Sequence, residues 1–506
     1  MTETKPNILM IIADQLTGEA LSFSDRGPHA YAPAIESLAE SGATFTNCHS
    51  NSPLCAPARA SLMSSQLPRN HKVYDNGAEF SANIPTFLHQ LKSQGYRTIG
   101  TGKMHFIGPD QLHGFDKRLT TNMYPSDFVW TPDWKKEVKP NLGTGAKRLK
   151  LSGVCKANNN LAYDKENHFR TLEFLEKEAL KSKDKPFFLM TSYNHPHDPF
   201  MITEEYYSKH QSSNVGSPRT PKMSFNEHHP YNKWIQTFHD LEENAPNESL
   251  IKKSRTAYFG MVSYIDDILN EIIEQLKKYD LYEDTIIIFT SDHGEMLGEH
   301  GMWFKRTFYE GSVNVPLVIS GPNIPPGKSV DKAVSLVDLG PTVVDLAGDS
   351  NEYTEKWRTD GDSFYEPLIN KDFSEWKDEA IVDYLGEGIL KPMFARRNGR
   401  YKYVHVLDHE PLLFDLVEDP DELENLIGDE DVSDLVDEYY EKLFDKEDIS
   451  TFEPKIYQDR IDRKIINEAF NGDIQWDYQP FFDASKMYVR VSGTDFTDTG
   501  NPQEHI

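Results

Sequence analysis

Asn7-Ile8-Leu9-Met10-Ile11-Ile12-Ala13 is apolar at every position from Ile8 onward and is bounded by Pro6 and by Asp14-Gln15. A strand with one wet face alternates apolar and polar residues. A run that does not alternate has both faces covered, as in the middle of a parallel sheet layered between helices. Pro186-Phe187-Phe188-Leu189-Met190-Thr191-Ser192-Tyr193 and Thr285-Ile286-Ile287-Ile288-Phe289-Thr290-Ser291 repeat the pattern, and Tyr96–Gly100 and Val315–Ser320 read as further strands. Helical periodicity lies between them, at Ala34–Ser41, at Ile84–Gln94 before Gly95, and at Asn160–Lys181. The strongest runs from Ser254 to Tyr279, where Met261, Tyr264, Ile265, Ile268, Leu269, Ile272 and Leu276 form one apolar stripe for the core. The expected fold is α/β, with a mostly parallel central sheet flanked by helices.

From about residue 345 the pattern changes. Ala380–Leu385, Met393–Arg397, Tyr401–Val406 and Pro411–Leu416 are short runs at hairpin spacing, with a turn at Asn398-Gly399, and predict a small antiparallel sheet. The expected division is 1–345, a catalytic domain; 346–450, an α+β subdomain; and 451–506, a tail. Residues 200–250 read as a polar insertion. Residues 106–160 combine aromatics with little periodicity, which marks a functional loop region.

Polar residues gather where the strands end. Asp14 and Gln15 follow the first strand; Gly102-Lys103-Met104-His105, Asn194-His195-Pro196-His197-Asp198-Pro199 and Asp292-His293-Gly294-Glu295 follow three others, and Lys305 lies in a later loop. Ligands of open α/β sheets bind outside the carboxyl ends of the strands, so these groups converge on one edge. Lys103 and His105, two apart, share a face if the segment is extended. Asn51-Ser52-Pro53-Leu54-Cys55-Ala56-Pro57-Ala58-Arg59 adds a thiol on a Pro-rich turn leading into a helix, which places the sulfur at a helix N-terminus, where anions are favoured. Arg59, one turn on, supplies a planar cation suited to an oxyanion.

Composition limits the partners. The 81 acidic against 53 basic residues give a formal charge of −28, which disfavours nucleic acid and anionic membrane surfaces. Three cysteines, Cys48, Cys55 and Cys155, are too few and too odd for a disulfide framework and suit a reducing compartment. The start Met1-Thr2-Glu3-Thr4-Lys5-Pro6 lacks a basic export leader, and no run is long enough to span a membrane, so a cytoplasmic protein is expected.

The ordered set Pro6-Asn7-Ile8, Cys55-Ala56-Pro57-Ala58-Arg59, Gly102-Lys103-Met104-His105, Pro196-His197-Asp198-Pro199, Ser291-Asp292-His293-Gly294-Glu295, Asp415-Leu416, Asp419-Pro420 and Asn425-Leu426 resembles the sulfatase family of the alkaline phosphatase superfamily. The resemblance implies that a separate maturation enzyme oxidises Cys55 to formylglycine, whose hydrated aldehyde is the nucleophile. It implies a divalent metal held by Asp14, Asp292, His293 and an oxygen derived from Cys55, with Gln15 as a further ligand. Mostly oxygen donors favour Ca2+ or Mg2+, while His293 leaves room for Mn2+. By the same resemblance Arg59 and His105 contact the hydrate, His105 as a base. Lys103 and Lys305 clamp the sulfate and His197 protonates the leaving oxygen, while His195 is read as structural or as a support to the residues that do the chemistry.

Within that family the chain is similar to the choline sulfatases. The supporting stretches are Asp75-Asn76, Gly108–Phe115, Leu119-Thr120-Thr121, Tyr124-Pro125 with Asp127-Phe128, Trp130-Thr131-Pro132-Asp133, and Trp476-Asp477-Tyr478-Gln479-Pro480 near the C-terminus. The similarity implies a small sulfate ester as substrate and a homo-oligomer whose C-terminal segments form contacts. A quaternary ammonium requires aromatic faces and a carboxylate, for which Trp130 and Glu387 are the candidates. Lys135–Leu149 holds no aromatic residue and no histidine, a departure from that subfamily. Hydrolysis of a sulfated carbohydrate, or of a phosphonate or phosphate ester, are the alternatives.

Overall fold

The Ile8–Ala13 run lies inside the largest sheet of the protein. A computed structural model describes residues 5–132, 137–141, 145–179, 185–211, 215–348, 355–444 and 448–469. The main sheet has nine strands: β1 (Asn7–Ala13), β2 (Gly42–His49), β3 (Arg97–Gly102), β4 (Lys117–Arg118), β6 (Phe187–Tyr193), β8 (Thr285–Thr290), β9 (Asn314–Ser320), β10 (Lys328–Val330) and β11 (Val334–Ser335). A separate pair joins β5 (Gly153–Val154) to β7 (Met201–Ile202). The main order is β10-β2-β9-β8-β1-β6-β3-β4, with β11 also on β2.

β1 pairs in parallel with both β6 and β8, as its unbroken apolar character requires. Its residues alternate between two cores. Leu9, Ile11 and Ala13 pack with the stripe of the Glu248–Lys278 helix; Ile8, Met10 and Ile12 pack with residues of the Cys55–Ser64, Phe87–Ser93 and Leu336–Leu346 helices. The helix stripe is therefore core, as expected.

β9 runs antiparallel to both β8 and β2, which makes the sheet mixed. Pro316 has no N–H for a ladder, and the β2–β9 register shifts between Phe45 and Cys48, the two residues opposite Leu317 and Val315 on either side of it. β2 itself was not anticipated. Its sequence, Gly-Ala-Thr-Phe-Thr-Asn-Cys-His, is short of aliphatic residues.

The C-terminal sheet is antiparallel in the order β12 (Glu379–Tyr384), β13 (Met393–Asn398), β14 (Tyr401–Val406), β15 (Leu412–Asp415). β13 and β14 are joined by Gly399 and Arg400, with Gly399 at φ 54. One face packs on Leu54, Met296 and Tyr309, and the other packs on the Ser433–Phe444 and Phe452–Ala469 helices. The segment read as an insertion contains the helices Glu204–Gln211 and Pro230–Phe238. No helix among the described residues is long and apolar enough to cross a membrane. Trp476–Pro480, and Asp133 of the Trp-Thr-Pro-Asp stretch, lie outside the described residues.

Candidate active site

Cys55 is the first residue of the Cys55–Ser64 helix, preceded by Leu54 in an extended conformation. Asn51 fixes the turn before it. Its side chain donates to the Ile381 carbonyl and accepts from Val337 N–H, both at 2.9 Å, and its own carbonyl accepts from Asp383 N–H at 2.9 Å. The thiol-bearing turn is thus tied to the C-terminal sheet.

Around the sulfur stand groups from four separate segments. His293 Nε2 is 3.1 Å from Sγ, Lys305 Nζ 3.3 Å, Lys103 Nζ 3.8 Å and Asp14 Oδ1 4.0 Å. All are buried. Burial pushes the Cys55 thiol up, but Lys103, Lys305 and His293 outweigh it and hold the thiol well below its ordinary value.

Asp14, Cys55, Asp292 and His293 present four ligand atoms within 4.8 Å of one another. Nδ1 of His293 donates to the Gly294 carbonyl at 3.0 Å, which leaves Nε2 directed at the cluster. Burial and the Asp14 charge raise the Asp292 carboxyl. Burial alone would also raise Asp14, but Lys103, His197 and Arg59 bring it below the ordinary carboxylate range. Two carboxylates and an oriented imidazole form a donor set that fits a hard divalent cation.

The donors of Arg59, one turn on from Cys55, are taken up by acceptors of the site itself. Its guanidinium donates to Asp292 Oδ2 and Asp14 Oδ2 at 2.8 Å each, to the Lys103 carbonyl at 2.5 Å and to Ser192 Oγ at 2.8 Å. Helical spacing does bring it to the site, but two buried carboxylates are the stronger partners. Gln15 sits next to the cluster, its backbone N–H donating to Asp292 Oδ1 at 3.1 Å. With φ 66, it directs its amide oxygen to Lys305 Nζ at 2.6 Å and its nitrogen to Glu295 at 2.5 Å and Asp198 at 3.3 Å.

Lys103 and His105 both reach the site, but not by strand alternation. β3 ends at Gly102, and His105 takes φ 59. Burial lowers the pKa of His105 to about 4, although a hydrogen bond with Cys55 and the Cys55 charge raise it, and neither ring nitrogen has another hydrogen-bond partner among the described residues. His197 donates from Nδ1 to the Asp198 carbonyl at 2.7 Å and accepts at Nε2 from Lys305 at 2.9 Å. Burial and the Lys305 charge lower its pKa. His195 is fully buried, with Nδ1 2.6 Å from Asp164 Oδ2 and Nε2 without a hydrogen-bond partner among the described residues.

A cavity of about 750 Å³ opens from the sulfur and is lined by Cys55, His105, His197 and Lys305 at one site and by Trp130 and Glu387 elsewhere. Trp130 is 40% exposed and lies 5.0 Å from the Tyr124 ring and 5.8 Å from His105. Glu387 accepts from Arg306 at 2.6 Å through Oε1, while Oε2 is buried with no hydrogen-bond partner among the described residues.

Four lining residues were not assigned to the site from the sequence. Tyr124 holds its ring 4.5 Å from Lys103 Nζ, Arg148 donates to Asp198 at 2.6 Å, Phe238 lies under Arg306 at 5.1 Å, and Arg306 itself holds Glu387. Phe238 belongs to the supposed insertion. Together with Tyr124 it supplies aromatic surface that Lys135–Leu149 lacks, and Val138 and Arg148 line the cavity from that stretch.

Comparison with known proteins identifies the family. The sequence model of the Sulfatase family matches residues 6–349, and one described as N-sulphoglucosamine sulphohydrolase, C-terminal, matches residues 298–448. A choline-sulfatase of Rhizobium meliloti (strain 1021) is 40% identical, covering 97% of this chain and 96% of that one. Human arylsulfatase K is 28% identical, covering 83% and 78%. Among solved structures, the phosphonate monoester hydrolase of Agrobacterium radiobacter superposes with a TM-score of 0.66 at 25% identity, covering 87% and 95%. Formylglycine and a divalent metal are general to sulfatases, and the Asp14, Cys55, Asp292, His293 cluster is consistent with both. With a family match over two thirds of its length and a 40% identical relative over nearly all of it, the chain belongs to the sulfatase family and is a sulfuric ester hydrolase.

Proposed function

We propose that the substrate is choline sulfate or a similarly small sulfate ester of a cationic alcohol. The observation that carries this reading is Oε2 of Glu387, which has no hydrogen-bond partner among the described residues, on a side chain held by Arg306 in the cavity that Trp130, Tyr124 and Phe238 also line. A buried carboxylate oxygen without a donor is costly, and a quaternary ammonium beside aromatic faces offsets that cost without needing a hydrogen bond. The 40% identity to a choline-sulfatase supports the same reading.

In this proposal Asp14, Asp292 and His293 hold the metal with the modified Cys55, and Ca2+ suits the carboxylates best. The metal and the formylglycine supply Lewis acidity and the nucleophile when present. The chain's own side chains do the rest. Lys103 and Lys305, both within 4 Å of Sγ, bind the sulfate oxygens and stabilise charge as the ester bond breaks. Arg59 fixes the two carboxylates and so sets the site's shape.

His197 carries the proton for the leaving oxygen at Nε2, because Nδ1 is committed to the Asp198 carbonyl. Lys305 Nζ occupies that nitrogen here and turns to a sulfate oxygen when an ester enters. His105, uncharged and beside Cys55, is a base for the later proton removal. Gln15 holds Lys305 in place.

Maturation of Cys55 by a formylglycine-generating enzyme, assembly as a homo-oligomer, a cytoplasmic setting and the division at residues 345 and 450 belong to the same proposal. Turnover of choline sulfate, 4-nitrophenyl sulfate, a sulfated disaccharide and a phenyl phosphonate monoester by one preparation tests the substrate. Preference for choline sulfate supports the reading. A preference for the disaccharide or the phosphonate replaces it.

A further inference from the structure

Three loops of the cavity, Asp75-Asn76-Gly77, Trp130-Thr131 and Leu385-Gly386-Glu387, are far apart in sequence yet meet at one place. What meets them is the Phe452–Ala469 helix, through Arg460 and Arg463, each buried to within 4%. Arg463 forks onto Asp75, Nη1 to Oδ1 and Nη2 to Oδ2 at 2.8 Å each, and Nη1 also donates to Thr131 Oγ1 at 3.0 Å. Arg460 donates from Nη2 to the Leu385 and Gly386 carbonyls at 2.5 and 2.9 Å, and from Nε to Asp75 Oδ2 at 3.3 Å.

The loops also bear on one another. Asp75 Oδ1 accepts from Gly77 N–H at 3.0 Å, and a Cβ at Gly77 would lie 2.5 Å from Thr131 N and 2.6 Å from the Trp130 carbonyl carbon. Asn76 Oδ1 accepts from Ala56 N–H at 3.0 Å, next to Cys55. A displacement of Asp75 therefore moves the Trp130 loop, and a displacement of Leu385-Gly386 moves Glu387. Apolar side chains would dock a helix here at no desolvation cost, so a buried Asp with two arginines adds little stability over them. What the guanidinium forks add is direction, since each fixes several acceptors in one plane.

We propose that the Phe452–Ala469 helix is a positioning element of the active site, and that Arg463 and Arg460 set the mutual placement of Trp130 and Glu387 and hence recognition of the alcohol. The proposal rests on the cationic-ester reading of the cavity.

The test uses the full-length matured enzyme and its Arg463→Lys and Thr131→Val variants, with kcat/KM measured on choline sulfate and on 4-nitrophenyl sulfate. The ratio of the two values does not depend on how much of the protein is active. A positioning role predicts that the ratio falls about tenfold in Arg463→Lys and about threefold in Thr131→Val, since small misplacements of binding groups have effects of that order or larger. Equal losses on both esters, or an unchanged ratio, overturn it. If Arg463→Lys fails to fold, Thr131→Val and Gly77→Ala decide by the same ratio. If the wild type does not hydrolyse choline sulfate, the substrate reading fails by itself; the ratio is then taken between its best ester and 4-nitrophenyl sulfate, and the positioning role stands or falls on that.

Discussion

Cys55 Sγ and His293 Nε2 lie 3.1 Å apart although 238 positions separate them in the chain. The contact joins the N-terminus of a helix to the end of β8, and the second ring nitrogen of His293 is tied to the Gly294 carbonyl. An imidazole oriented in this way beside two carboxylates is arranged for a metal rather than for a proton relay.

Removal of His293 should therefore weaken the metal before it changes the fold. His293→Ala is expected to lower metal affinity by roughly 10–100-fold or more, the effect usual for losing even an outer partner of a metal ligand. Isothermal titration of the chelator-stripped protein with Ca2+, Mg2+ and Mn2+ measures this. Unchanged affinity for all three would remove His293 from the ligand set.

Leaving-group dependence tests His197. A choline alkoxide leaves poorly without a proton and 4-nitrophenolate leaves well. His197→Ala should reduce kcat on choline sulfate by roughly 10²–10⁴-fold and that on 4-nitrophenyl sulfate by less than about tenfold. Equal losses on the two esters would instead assign His197 to binding.

Glu387 should act on affinity for the cation. Glu387→Gln keeps the shape and the Arg306 contact but removes the charge, and KM for choline sulfate is expected to rise roughly tenfold, about 1.4 kcal/mol. The same change should leave kcat on 4-nitrophenyl sulfate nearly untouched. A KM for choline sulfate that does not move would place the ammonium elsewhere in the cavity.

Stability carries a pH signature from Glu422. Burial pushes its carboxyl up to about 7, helped by Glu310 and opposed by Lys402, with which both acids pair. The folded protein thus binds this proton more tightly than the unfolded chain, whose value is near 4.5. The contribution favours folding at low pH and is lost as pH rises from about 4.5 through about 7. Glu422→Gln should flatten that part of the profile in denaturant unfolding at pH 5 and pH 8. An identical slope in wild type and variant would contradict it.

The parts of this molecule legible in the sequence are those fixed by local pattern. β1, β6 and β8 announce themselves because burial on both faces demands unbroken apolar runs, and the Glu248–Lys278 helix because one stripe meets the core. The polar groups at strand ends were visible for the same reason, since topology brings those ends together. β2 was not legible, because its place depends on pairing with β9 across some 270 residues and not on its own composition. The direction of a side chain is less legible still. Arg59 was placed correctly on the helix but turns to Asp14 and Asp292, a choice made by partners distant in sequence. Phe238 and Arg306 were missed because an aromatic or a cation inside polar sequence carries no signal until tertiary packing puts it against a cavity.

The most direct measurement is the mass of the Cys55 peptide together with choline release from choline sulfate by the same preparation. The account predicts an aldehyde at residue 55 and choline and sulfate released in equal amounts. A preparation that carries the aldehyde and a bound metal yet releases no choline, while it hydrolyses a sulfated sugar, would contradict it.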